Sequence, residues 1–237
     1  ADSAKPQWRP ETRLPDNPRD FKTPNYGMET FGDLFTDRQL VALNTFSDLV
    51  HEVRSQVEAD AHSAGMSSDG KHLREGACGA TAYAEAISVY LQFAVDRCAD
   101  FSNATVRWNP SNQKVMNLFA RQAIPMSWDF GEANILEDVV GGFRPASAFI
   151  AKCLEMLIPM SDGILSAHDA QTVTYPPNAV ISTDPPYYDN IGYADLSDFF
   201  FVWQKRGLRD VFPEIFGVLA TPKSEELVAT PYRHGGV

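Results

Sequence analysis

Three cysteines in 237 residues, Cys78, Cys98 and Cys153, are too few and too scattered for a disulfide framework. No C-x-x-C pair offers a thiolate-rich zinc site, so the three read as buried cytosolic thiols and the chain as cytoplasmic. His51, His62, His72, His168 and His234 show neither H-x-x-x-H nor H-E-x-x-H spacing, and no metal site is expected. No apolar run approaches the ~20 residues that a membrane span needs. The N-terminus has no charged region leading into an apolar one, which argues against a secretory signal. An initiator Met is also lacking; the opening Ala1-Asp2-Ser3 suggests a processed chain or an excised fragment. Positive charge is scarce: 20 Lys and Arg against 31 Asp and Glu leave a net charge of -11. That balance counts against an autonomous DNA-binding domain with a basic face, though not against a catalytic domain whose phosphate contacts come from another module.

What remains is globular, with 44% hydrophobic and 22% charged residues, and its organisation changes along the chain. Residues 1–30 are polar and punctuated by Pro6, Pro10, Pro15, Pro18 and Pro24, which predicts an extended arm lying on something else. Residues 31–160 are expected to be helical. Thr36 and Gln39 fit a capping box, and Leu40, Leu43, Phe46, Leu49, Val50, Val53 and Val57 continue at helical spacing to about Ala61. A second helix is predicted from about Ala80 to Ala99, a third from near Ser111 and a fourth from Pro145 to Leu157.

After Pro159 the period changes. Residues 163–169 and 179–184 are short apolar runs that each end in an acid, the pattern of buried strands in a parallel sheet. The second run leads into Asp184-Pro185-Pro186-Tyr187, and a helix is predicted to follow from Leu196 to Leu208. This tetrapeptide suits a specific task. The exocyclic amine of a base is a poor nucleophile, because its lone pair is delocalised into the ring. A carboxylate (Asp184) and a neighbouring backbone carbonyl (Pro185) can each accept one amine hydrogen and localise that lone pair. Pro185 and Pro186 each lock φ, which stiffens the loop and preorganises the acceptors. Tyr187 offers a face on which a flipped base can stack. The ordinary alternative for these four residues is a turn, since Asp and Pro both favour turns.

Residues 180–203, VISTDPPYYDNIGYADLSDFFFVW, resemble the large prokaryotic adenine-specific DNA methylases that also carry a zinc ribbon. Residues 31–50, 79–100, 119–134 and 221–236 look like the same family, so the resemblance covers most of the chain. It implies an α/β architecture: a partial Rossmann-like methyltransferase fold with a large helical region, the motif-bearing part being residues 161–237. It also implies S-adenosylmethionine as methyl donor and adenine N6 in DNA as target. The site residues carried over are Asp184, Pro185, Pro186 and Tyr187 for catalysis, with Asp169 and Asp184 near the cofactor. The Gly-rich cofactor loop and the zinc ribbon of such enzymes have no counterpart here. The expected partners are therefore DNA and the remainder of the parent methylase, including its cofactor loop, with no membrane.

Other residues have plainer alternatives. Asp169 can equally be a turn acid or helix cap. Tyr193 and Asp195, just past the motif, are more often structural. Trp128, Asp129 and Glu132 fit an aromatic-acid corner capping a helix better than a ligand contact. Lys223, Arg233 and His234 fit a solvated tail better than a phosphate site. The rival functions are a cytosine-N4 or RNA base methyltransferase and a non-catalytic helical interaction module.

Overall fold

In the computed structural model, which describes residues 5–158, 163, 168–185 and 187–233, Thr36 opens the longest helix. Its hydroxyl accepts the Gln39 backbone N–H and the Gln39 side chain accepts the Thr36 N–H, the reciprocal box expected from these residue types. Helix α1, Asp37–Ser63, buries Leu40, Leu43 and Val50, whereas Leu49 and Val53 stay exposed, so the buried stripe is narrower than the apolar spacing suggests. Helix α2, Ala80–Phe101, packs along α1, and helix α3, Phe143–Met156, and helix α4, Tyr193–Leu208, pack on α2. A single turn, α5 (Pro213–Phe216), follows.

The core is aromatic and centres on α4. Trp203 and Phe199 are fully buried; Phe35 stacks on Phe199 at 5.7 Å between ring centroids and meets Trp203 edge-on at 5.4 Å. Residues 5–30 run over the helices without regular structure apart from one 3-10 turn, Thr23–Tyr26, and insert Leu14 and Phe21 into the core.

The α/β expectation is overturned. Among the described residues the strands are two antiparallel pieces, β1 (Trp108–Asn109) and β2 (Lys114–Val115), and no parallel sheet or Rossmann-like layer is present. Residues 179–184, read from sequence as a buried strand, form no strand, and Val180 is 97% exposed. The physical reason is the lack of a neighbour: an apolar run becomes a buried strand only where a ladder and two covering layers receive it. Of the other predicted strand, Gly163, His168 and Asp169 are described and lie outside any strand, while residues 164–167 lie outside the described residues.

The third helix is also corrected. The Asn109 side-chain oxygen accepts the backbone N–H of Ser111 and Asn112 at 3.0 and 3.2 Å, and Gln113 takes φ +46°. That turn closes a small hairpin, so Asn-Pro-Ser turn chemistry overrides the apolar spacing of Val115, Leu118 and Phe119.

Candidate functional site

The segment carrying Asp184 leaves a Pro-rich stretch. Ala179 N–H bonds the Pro176 carbonyl, and Asn178 adopts φ +68°. From Ala179 to Pro185 every residue is exposed, and Asp184 makes no hydrogen bond or ion pair among the described residues. Pro185 is exposed beside it, and Tyr187 is 80% exposed. Pro186 lies outside the described residues. The acceptors and the aromatic face that the amine chemistry requires thus stand side by side in the chain and uncommitted.

Beyond Tyr187 the backbone is tied down. The Tyr187 carbonyl accepts the Asn190 N–H at 2.7 Å, closing a turn with Tyr188 at φ +22°. The Tyr188 carbonyl accepts the Ala229 N–H at 2.8 Å, and the Arg19 guanidinium donates to the Asp189 carbonyl. The upstream half of the segment projects, and the downstream half is clamped between the N-terminal arm and the C-terminal tail.

Asp195, in the first turn of α4, is the hub of that clamp. Its carboxylate is 1% exposed, accepts from Asn17 at 3.1 Å and from the Tyr232 hydroxyl at 2.7 Å, and pairs with Arg233 at 2.8 Å. Arg233 also reaches Glu226 at 2.6 Å, and Glu226 accepts the Ala194 N–H at 2.9 Å. Burial and the bond to Asp195 push the Tyr232 phenol up, so its proton stays in place at any physiological pH. Burial draws the Arg233 guanidinium down, but Glu226 and Asp195 outweigh it and the net shift is upward. Gly192 fits here because a Cβ would stand 2.8 Å from the Tyr232 hydroxyl. One helical turn on, Asp198 pairs with Lys223 at 2.6 Å and accepts the Thr221 N–H at 2.8 Å. Lys223 and Arg233 are therefore internal ion-pair partners rather than a solvated tail, and His234 lies outside the described residues.

Asp169 occupies a turn: its side chain accepts the Gln171 N–H at 2.9 Å and its carbonyl the Val173 N–H at 3.0 Å. No hydrogen bond or ion pair among the described residues joins it to Asp184. Trp128 is 78% exposed and meets Tyr26 edge-on, and Asp129 is exposed. Glu132 pairs with Arg38 at 2.5 Å and accepts from Thr36 at 3.2 Å, an acid at the start of α1.

Two glycine clusters, at residues 76–79 and 141–142, serve helix starts. Gly79 precedes α2, where a Cβ would stand 2.7 Å from an Asp69 carboxylate oxygen and 2.9 Å from the Ser67 carbonyl. Gly142 precedes α3 with no room for a Cβ beside the Glu137 carbonyl. Neither cluster follows a strand, and the described residues form no strand-borne glycine turn of the kind that holds S-adenosylmethionine. With Asp169 committed to its own turn, the residues described do not fit that cofactor. No group of His, Cys, Asp or Glu among them is placed to hold a metal ion, and none of their helices is long and apolar enough to cross a membrane. Comparison with family models, with curated proteins and with solved structures yields no match.

The sequence alone does not point to Asn17, Arg19 or Tyr232. Asn17 stands 178 residues from Asp195, and no local pattern spans that gap. The one hint is the dense polar run Asp16-Asn17-Pro18-Arg19-Asp20 within a Pro-rich arm.

Proposed function

We propose that the chain presents the amine-binding segment of an S-adenosylmethionine-dependent DNA methyltransferase acting on adenine N6, as a helical platform for the motif. The observation that supports this is Asp184, an exposed carboxylate with no partner among the described residues, set between an apolar run and two prolines with exposed Tyr187 beyond them. Asp184 accepts one hydrogen of the target amine and the Pro185 carbonyl the other, which localises the nitrogen lone pair. Tyr187 stacks against the flipped base. The methyl donor is held by the remainder of the parent methylase, which carries the cofactor loop, because the described residues do not build its site.

The test is methyl transfer from labelled S-adenosylmethionine to defined DNA duplexes by the parent enzyme. Label is expected on adenine, and Asp184→Ala lowers incorporation at least about 100-fold, the scale of removing a preorganised polar group at the reacting atom. Label confined to cytosine, or an Asp184→Ala enzyme with normal incorporation, contradicts the proposal.

A second function has its own support. Val180, Tyr187 and Tyr188 are 97, 80 and 80% exposed on one short segment, the kind of surface a non-catalytic interaction module offers a partner. Normal activity in Asp184→Ala, together with lost complex formation in Val180→Ser, favours that module.

A further inference from the structure

A net charge of -11 conceals one basic groove of about 1000 Å³ between the N-terminal arm and the C-terminal half of α4. Arg9 and Arg13 line it from the arm, and Lys205, Arg206 and Arg209 from α4 and its end. Among the described residues its lining carries the carboxylates Glu11 and Asp210, and His51 completes the wall from α1. Basic residues at a helix C-terminus commonly just answer the helix dipole, and Lys205 and Arg206 lie in the last turn of α4. That explanation does not extend to Arg9 and Arg13, which come from a separate segment and converge on the same space.

The cations are of two kinds. Arg9 and Arg206 build the walls: Arg9 pairs with Asp37 and Arg206 with Asp48, each at 2.5 Å, and the Arg206 guanidinium lies over the Trp8 ring at 4.9 Å. Lys205 donates to the Val218 carbonyl at 2.6 Å, whereas Arg13 and Arg209 are held loosely or not at all. The Arg13 side chain is 84% exposed with only Glu29 at 3.9 Å, and Arg209 is exposed with no partner among the described residues.

The groove is linked to the candidate site through two segments that both share, the arm and α4. The arm that lines it at residues 7–13 carries, six residues on, the Arg19 that holds the Asp189 carbonyl. Helix α4 spans the same interval: 16 residues at 1.5 Å per residue is about 24 Å, or about seven phosphate steps of 3.4 Å along one DNA strand.

We propose that this groove binds the phosphate backbone of DNA, with Arg13 and Arg209 as the phosphate contacts, and that the arm leads the duplex from the groove to the Asp184 segment. The choice of DNA over another polyanion rests on the methyltransferase function proposed above. The groove explains how a strongly acidic chain can face a polyanion: repulsion from the rest of the surface is screened beyond a Debye length of about 8 Å, while the local cations act at contact.

The test is fluorescence anisotropy with a fluorescein-labelled duplex and the intact chain over a range of salt. Binding is expected to weaken with salt, and Arg13→Glu/Arg209→Glu to weaken it at least about 10-fold and flatten the log–log salt slope by about two. Lys152→Glu, one such charge reversal on α3 outside the groove, leaves binding within about twofold. Equal binding by wild type and the double variant, or equal loss in Lys152→Glu, overturns the groove while leaving DNA methylation standing. Absence of duplex binding at low salt overturns it as well, and the methyl-transfer assay with the parent enzyme then decides separately on the methyltransferase function. Unchanged melting of both variants secures the comparison, since Arg13 and Arg209 are exposed.

Discussion

Asp96 shows how far a single residue can depart from its expected role. It sits in α2 and is buried with two amide partners, Gln92 at 3.1 Å and Gln204 at 2.7 Å. Burial pushes its carboxyl up to about 7, against the two hydrogen bonds. Between the unfolded value near 4 and about 7, the folded chain keeps a proton that the unfolded chain releases, so stability falls as pH rises through that window. Asp96→Asn removes this penalty. Urea unfolding at pH 8 should show the variant more stable than wild type by on the order of a few kcal/mol, and the gap should close towards pH 4. Asp184 is the opposite case. Its exposure makes Asp184→Ala neutral for stability, within about 0.5 kcal/mol in the same assay, so any loss of methyl transfer belongs to chemistry rather than folding.

At the scale of elements, legibility follows from how local the determinants are. The start of α1 was readable because Thr36 and Gln39 act within one turn, and Thr36→Ala should cost about 1 kcal/mol by chemical denaturation. Helices α2, α3 and α4 were readable from their 3.6-residue period. The buried face of α2 was not: Glu85, Ser88, Gln92 and Asp96 face inward while Tyr83 is 45% exposed, and the two acids, Glu85 and Asp96, each have a partner from another segment. Glu85, for example, accepts the Leu73 N–H at 2.7 Å and contacts His72 at 2.7 Å. The hairpin at Trp108–Asn109 and the exposed run at 179–184 were misread for a related reason. Apolar spacing states what can be buried, while turn chemistry and available neighbours decide whether it is.

At the scale of the molecule, distant parts of the chain meet at Asp195: Asn17 from the arm, Tyr232 and Arg233 from the tail, and α4 itself. Asp195→Ala removes one of the two carboxylates of Arg233, which keeps Glu226, and strips the Tyr232 hydroxyl of its acceptor, so the cost should be about 1–3 kcal/mol in urea unfolding. Limited proteolysis should then cut the arm after Arg13 or Arg19 in the variant but not in wild type, since the clamp also holds the Asp189 backbone. Asp184-Pro185-Pro186-Tyr187 is contiguous in the sequence. The clamp on residues 188 and 189 just beyond it was not legible, being assembled from segments almost 180 residues apart, and the helical architecture displaces the parallel sheet expected from the apolar runs.

The proposed function requires that the helical platform presenting Asp184 and Tyr187 does not itself hold the methyl donor. Calorimetric titration of S-adenosylmethionine into the 237-residue chain tests it most directly. Binding weaker than about 1 mM, less favourable than about -4 kcal/mol, is the predicted result; a micromolar dissociation constant, near -8 kcal/mol, would contradict it.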